Sequence, residues 1–207
     1  MEPMDFKPIG PGERKEILDY IRSRIDEADP GKLREAILSM GWVEDAEELA
    51  GPLMMLVGEG KPEVALVALQ GLAQLGIRES EKPLARHIVN LFKKGDPAFS
   101  RLRAECIRVL GKVGTKHCVG FLAAIVQRPE PVTAEDKEAA VEALVSLAER
   151  RVKGISGLLT ELNAQTGDKV VSKTIDCAIK EINLQKWEEQ GYLTIEAEFD
   201  SQEEPKT

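Results

Sequence analysis

The sequence DPAFSRLRAECIRVLGKVG, residues 96–114, carries an apolar pattern that recurs through most of the chain. Further copies are KPEVALVALQGLAQLG (61–76), EDKEAAVEALVSLA (135–148), DKVVSKTIDCAIKEI (168–182) and the shorter GKLREAILSMG (31–41). The last residues of successive copies stand 35, 38, 34 and 34 positions apart. A period of this size indicates a helical repeat array, in which each unit buries its apolar face only against its neighbours.

Each copy has the apolar spacing of one amphipathic helix. In the 96–114 copy, one face holds Phe99, Leu102, Cys106, Val109, Leu110 and Val113. The opposite face holds Arg101, Glu105, Arg108 and Lys112, whose spacing allows Arg–Glu pairs along the helix. Three copies end at a glycine, namely Gly41, Gly76 and Gly114, which predicts left-handed caps at these helix ends.

A short turn and a second helix are predicted after each of the first four copies. The second helices contain GPLMMLV (51–57), EKPLARHIVNLF (81–92), HCVGFLAAIV (117–126) and GISGLLTELN (154–163). Ser80 is the predicted N-cap of the 81–92 helix, and Pro83 fits its first turn. An opening helix over 13–28 precedes the first copy.

These units resemble HEAT repeats. The order Asp96, Pro97, Arg103, Leu110, Gly114 follows the first helix of a HEAT unit, and Pro62, Glu63, Val64, Ala68, Leu69, Leu72, Leu75, Gly76 follows it again. Pro83 and Pro52 take the place of the second-helix proline. The departures are Ala65 for the usual arginine, Lys61 for the aspartate and Gly120 for a proline. The resemblance covers about residues 31–183, and it implies an all-α, right-handed α-α superhelix of about five HEAT-like helix pairs, with the second helices on the concave side.

Three regions are expected along the chain: a flexible N-terminus (1–12), the HEAT-like repeat domain (13–183) and an irregular acidic C-terminal tail (184–207). In the tail, LQKWEEQ continues or caps the last helix. The following YLTIEAEF alternates apolar and polar residues, as a strand does. Three alternatives stay open for it: disorder, folding back on the repeats as a cap, or pairing with another chain by β-addition, which would make a homodimer.

The composition favours a helical protein of the cytoplasm. Hydrophobic residues make up 43% of the chain but aromatic residues only 4%, which suits close helix-on-helix packing. No apolar run approaches the roughly 18 residues that span a bilayer, and the opening MEPMDFKPIGPGERKE lacks the pattern of a signal peptide. The three cysteines, Cys106, Cys118 and Cys177, are expected to be reduced core residues rather than a disulfide framework.

The net charge of −8 is unevenly distributed. Residues 1–60 carry a net −7, residues 61–131 a net +6, residues 132–183 a net −2 and residues 184–207 a net −5. A cationic middle between anionic ends would attract an anionic partner, or the protein's own acidic tail.

Catalytic and cofactor motifs are lacking in the sequence, so an enzyme is the less favoured interpretation. The two histidines, His87 and His117, are not part of a His-x-x-x-His, Cys-x-x-Cys or His-Glu pattern, and no metal site is predicted. The di-iron hydroxylases with HEAT repeats use several His-Glu pairs, and none occurs here. The segment GEGK (58–61) lacks the upstream glycine and the following Ser or Thr of a phosphate-binding loop. No cofactor is expected.

The candidate binding surface lies on the second helices. On the 81–92 helix and its extension, Arg86, Asn90, Lys93 and Lys94 lie opposite the apolar stripe of Leu84, Ile88, Leu91 and Phe92. The corresponding face of the next second helix holds Lys116, Gly120, Ala123 and Gln127, and that of the one after holds Gly157, Glu161 and Ala164. Met54 and Met55 are candidates for an adaptable apolar patch in the first repeat.

Three functions are compatible with this pattern. The favoured function is a non-enzymatic protein-binding scaffold or adaptor that uses the concave surface. Its partner would be a protein or peptide, and an anionic partner would suit the basic segment. The alternative is nucleic-acid binding or DNA repair through the central basic segment, although few aromatic residues are available to stack on bases. A tetrapyrrole lyase or chaperone, known among HEAT-like proteins, has no support from particular residues.

Overall fold

The computed structural model describes residues 11–40, 46–129 and 132–189, with side chains over 15–38, 47–129 and 132–184. These residues form ten α-helices: α1 (Pro11–Glu27), α2 (Pro30–Met40), α3 (Ala50–Glu59), α4 (Pro62–Leu75), α5 (Glu81–Lys94), α6 (Ser100–Val113), α7 (Val119–Gln127), α8 (Ala134–Glu149), α9 (Ile155–Gln165) and α10 (Lys169–Glu189). Short 3-10 turns at Ala46–Leu49, Arg78–Ser80, Pro97–Phe99 and Lys116–Cys118 lead into α3, α5, α6 and α7. No strand occurs in this part of the chain, so the predicted all-α class is confirmed for it.

The helix boundaries differ from the predicted ones mainly at the two ends. Helix α1 begins at Pro11, within the predicted N-terminal segment 1–12. Helix α10 continues to Glu189, beyond the predicted boundary at 183, so that part of LQKWEEQ is helical. The strand-like segment 192–199 and Gly41 lie outside the described residues.

Helices from successive sequence copies contact each other in order. The first helices of the copies pack α2 on α4, α4 on α6, α6 on α8 and α8 on α10. Each second helix packs on the first helix of the next copy: α3 on α4, α5 on α6, α7 on α8 and α9 on α10. One apolar core results, and it runs from Leu18 in α1 to Ile182 in α10. Helix α1 packs on α2 in the same way, so the contacts group the ten described helices into five successive pairs: α1/α2, α3/α4, α5/α6, α7/α8 and α9/α10.

Several hydrogen bonds join residues one sequence period apart. Arg108 Nε donates to Glu142 Oε2 at 2.6 Å, and Ser100 Oγ donates to Glu135 Oε2 at 3.2 Å. The backbone N–H of Thr115 donates to Glu81 Oε2 at 2.7 Å. These partners stand 34 or 35 positions apart. The bonds therefore link equivalent places in neighbouring copies.

A buried ion pair links α6 to the start of α8. Arg103 Nε and Nη2 donate to the two carboxylate oxygens of Asp136 at 2.7 and 2.6 Å, and the side chains are 3% and 0% exposed. Asp136 also accepts from the backbone N–H and the hydroxyl of Thr133, which completes a capping box at the start of α8. The Arg103 guanidinium lies 4.6 Å from the centre of the Phe92 ring. Both charges thus have the partners that buried charges need.

Helices α6 and α8 also approach each other closely at a glycine. A β-carbon added to Gly111 would lie 2.5 Å from Ala143 Cα, so the two backbones leave no room for a side chain. Just beyond this point Arg150 donates to the carbonyls of Gly111, Lys112 and Gly114 at the end of α6. The Arg150 guanidinium therefore caps α6 from the neighbouring copy.

Three local predictions are wrong. Gly76 has the predicted left-handed conformation (φ 63°), but Gly114 is extended (φ −69°, ψ 169°). A glycine is required there because an added β-carbon would collide with the Leu110 carbonyl and lie 2.5 Å from Cys118 Sγ. Ser80 does not cap α5, since its backbone is already helical and its side chain accepts no capping bond. Cys177 is exposed rather than in the core, whereas Cys106 and Cys118 are buried as predicted.

Candidate functional site

Helix α5 positions most of the candidate surface. Its apolar stripe of Leu84, Ile88, Leu91 and Phe92 is buried, which fixes the rotation of the helix. Arg86, Asn90 and Lys93 are consequently exposed on the opposite face. The helix is capped by Gly95, which has a left-handed conformation with φ 65°. Its last turn carries Lys93 and Lys94, whose positive charges interact favourably with the negative end of the helix dipole.

A shallow groove lies between α5 and α7. Its walls are Ala85, Arg86, Val89, Asn90 and Lys93 from α5 and Phe121 from α7, and its volume is about 370 Å³. Val89 is 37% exposed although it is apolar, and Phe121 is half-buried. The groove therefore has an apolar floor between cationic side chains.

The side chains that line this groove include two cations, Arg86 and Lys93, and no carboxylate. Residues 82–95 and 115–129 contain no Asp or Glu, but they contain Lys82, Arg86, Lys93, Lys94, Lys116 and Arg128. Within the described part of the chain, Arg86, Lys93 and Lys116 make no ion pair, whereas Arg103 and Arg108 are paired with carboxylates. The α5–α7 surface thus presents positive charge that the described fold does not neutralise.

The structure brings together three of the eight residues predicted for the binding surface, namely Arg86, Asn90 and Lys93. Lys94 turns toward α6, with its Nζ 5.5 Å from the centre of the Phe99 ring. Lys116 is exposed in the turn before α7, outside the groove lining.

The other three predicted residues lie apart from the groove. Gln127 donates to Gln165 at 2.6 Å and lines a separate hollow of about 290 Å³ at the far end of α7. Met54 is half-buried and packs against the core, whereas Met55 is 62% exposed on α3. The two methionines therefore do not form one patch.

Sequence reasoning missed the apolar part of the groove, which consists of Ala85, Val89 and Phe121. The signal was present at Ala85 and Val89, which are spaced i,i+4 and lie off the core stripe of α5. Phe121 directly follows Gly120, which was recognised as a surface position. Its contribution depends on how α7 lies beside α5, and one helix alone does not show that.

The potential for acid–base or thiol chemistry at this surface is low. Burial, together with the charge of Lys94, lowers the pKa of His87, so the imidazole is neutral near pH 7. Burial, with a smaller effect of Glu81, raises the pKa of Cys118 to about 11, and burial likewise raises the pKa of Cys106. Neither thiol is therefore ionised for nucleophilic attack at neutral pH. His117 is exposed, and the described residues contain no group of three or more His, Cys, Asp or Glu arranged to hold a metal ion.

Comparison with known proteins gives one result. No family model, curated protein or solved structure matches this chain. Among the helices that the structure describes, none is both long and apolar enough to cross a membrane. An interpretation of function therefore rests on the geometry and charge of the α5–α7 surface.

Proposed function

We propose that the chain is a protein-binding module that takes up an acidic, partly apolar segment of another protein in the α5–α7 groove. The observation that carries this proposal is the pairing of an apolar floor, formed by Val89 and Phe121, with the cationic side chains of Arg86 and Lys93. Apolar contact would supply affinity, and the unpaired cations would select and orient carboxylates.

The proposal includes a HEAT-like architecture for the helix pairs. Two observations support it: the ordered packing of first helices from α2 to α10, and the hydrogen bonds between residues one repeat apart. In a right-handed HEAT-like stack, the second helices α3, α5, α7 and α9 would line the concave side. The α5–α7 groove would then be the middle of a continuous binding surface, as in other stacked helical repeats.

The exposed glycines of the second helices are consistent with a partner that approaches closely. Gly120 and Gly157 lie in the first turns of α7 and α9, and a β-carbon at either would meet nothing within 4 Å. The fold leaves room for a side chain at both positions, and glycine there would let the backbone of a partner approach closely.

A capture experiment with two matched variants tests the proposal. The groove variant is Arg86→Glu with Lys93→Glu, and the control is Arg101→Glu with Lys112→Glu, which changes the charge equally on the exposed face of α6. Each protein is used as bait in a nuclease-treated lysate of the source organism. We expect a stoichiometric protein on the wild-type and control baits that is lost from the groove variant. The same proteins on all three baits would contradict a binding role of this groove.

Nucleic-acid binding is the second candidate, because the cationic side chains Arg86 and Lys93 in the groove lining would also suit phosphates. Phosphate contacts make binding fall steeply with salt, by roughly one power of the salt concentration for each contact. Fluorescence anisotropy with labelled duplex and single-stranded oligonucleotides at 50 and 200 mM salt measures this dependence. Salt-sensitive binding that the groove variant loses and the control keeps would favour nucleic acid over protein.

A further inference from the structure

The sequence after α10 contains a segment whose charge is opposite to that of the α5–α7 groove. The segment EAEFDSQEE, residues 196–204, contains five carboxylates, one phenylalanine and no basic residue; we refer to it as the acidic segment. We propose that the acidic segment occupies the α5–α7 groove of its own chain when no partner is bound. The inference rests on the proposed function, because it treats the acidic segment as a competitor for the same groove.

The groove and the acidic segment are complementary in charge and in apolar character. The groove offers Arg86 and Lys93 beside the apolar Val89 and Phe121. In the acidic segment, Phe199 stands between Glu198 and Asp200. Its ring would lie on the apolar floor while the flanking carboxylates pair with the cations at the rim. Such charge-assisted bonds would neutralise cations that have no ion pair in the described part of the chain.

The reach of the chain is sufficient for this contact. Ten residues lead from Glu189, the end of α10, to Phe199, and in extended form they span roughly 33–36 Å. The path to the groove follows the second helices, from α10 across α9 to α7, which are successive packing partners. Packed helices lie about 8–10 Å apart, so these two steps cover roughly 20 Å. The ten residues are therefore long enough for Phe199 to reach the groove with α10 intact.

The contact would make binding of other segments dependent on displacement of the acidic segment. A groove that is occupied for about nine-tenths of the time binds a competing ligand with an apparent affinity about ten-fold lower. The lower affinity requires no change in the helices. Partners with weak acidic segments would be excluded, and stronger ones would displace the acidic segment.

Carbodiimide cross-linking of the full chain tests the contact directly, because this reagent joins a carboxylate to an amine as an amide with loss of water. We expect amide links between Lys93 and the acidic segment by mass spectrometry. Lys93→Arg should lose its link while keeping the charge. The experiment uses a mixture of ¹⁴N- and ¹⁵N-labelled chains. Links that join different isotopes, or links only to lysines other than Lys82, Lys93, Lys94 and Lys116, would overturn the proposal.

A binding measurement tests the competition. The probe is a fluorescein-labelled peptide of residues 190–207, added to the wild-type chain and to a variant with Glu196, Glu198, Glu203 and Glu204 changed to Gln and Asp200 changed to Asn. We expect the variant to bind the probe about ten-fold more tightly, because its own segment no longer competes. Arg86→Glu with Lys93→Glu should abolish this binding, and Arg101→Glu with Lys112→Glu should not.

The outcomes separate this inference from the proposed function. Equal affinity of the wild-type chain and the five-site variant would overturn the inference, even if a captured partner depends on the groove. Intramolecular cross-links with no captured partner would support the inference and count against the proposed function.

Discussion

At the scale of single residues, the stability of the fold depends strongly on the Arg103–Asp136 pair. Both side chains are buried, and Asp136 also holds the capping box of α8. Arg103→Met would leave a buried carboxylate without its cation, which costs about 3–5 kcal/mol. We expect this loss in the free energy of unfolding measured with urea. As a control, Arg108→Met removes the more exposed pair with Glu142 and should cost less than about 1 kcal/mol.

A double-mutant cycle checks that the pair itself is responsible. Arg103→Met combined with Asp136→Asn should be less destabilised than the two single variants added together, by about 0.5–3 kcal/mol. Strict additivity would show that Arg103 stabilises the fold through its contact with Phe92 rather than through Asp136.

Two glycines in neighbouring helices should respond in opposite directions to the same substitution. Gly111→Ala would drive a methyl group into the Ala143 backbone and separate α6 from α8, and such overpacking costs about 1–3 kcal/mol. Gly120→Ala meets open space and should stabilise the protein by about 0.5–1 kcal/mol, because alanine loses less entropy in a helix. Thermal unfolding of both variants measures the difference. An equal shift in both would contradict the close contact at Gly111.

At the scale of helices, the sequence predicts the helices of the repeated copies. It does not predict the caps and turns whose conformation depends on contacts with neighbouring segments. All nine helices predicted from the copies and the segments between them exist, because each buries an apolar stripe that one helix specifies. The cap at Ser80 was wrong because a 3-10 turn brings the chain into α5 already helical. The predicted left-handed conformation of Gly114 was wrong because α6 ends there in an extended backbone, where an added β-carbon would collide with the Leu110 carbonyl and with Cys118 across the turn.

The Arg103–Asp136 pair and the α5–α7 groove could not be predicted in full, because each is formed by two helices that are distant in the sequence. Arg103 and Asp136 lie 33 positions apart, and their pairing depends on how two copies stack. The groove joins α5 to Phe121 of α7, so only its α5 half was predictable. Charge bias along the chain was visible, but the apolar floor required the relative position of two helices.

Helix α10 provides a chemical test of helix orientation. Its buried stripe is Val171, Ile175, Ala178 and Ile182, which leaves Cys177 exposed. We expect one thiol per chain to react quickly with a colorimetric thiol reagent in the native state, and all three in denaturant. Cys177→Ser should abolish the fast reaction. Fast reaction of a second thiol would show that the burial of Cys106 or Cys118 is transient.

At the scale of the whole molecule, stability depends on contacts between neighbouring copies. Helix α6 lies in the middle, with α4 on one side and α8 on the other, and Leu110 is fully buried there. Leu110→Ala should cost about 2–5 kcal/mol through lost burial and the cavity that remains. Because each copy stabilises only its neighbours, we expect the loss to uncouple the two halves and broaden the unfolding transition.

Hydrogen exchange distinguishes this coupling from uniform weakening. In Leu110→Ala, exchange should accelerate first in α4, α6 and α8, while α1 and α2 stay close to their wild-type protection. Val170→Ala, at a 55% exposed position of α10, serves as a control that should change stability by no more than about 0.5 kcal/mol. Uniform acceleration along the chain would show that the helices unfold as one unit. The groove would then lose its shape together with every other part of the molecule, whereas uncoupled halves would separate α5 from α7 without unfolding either end.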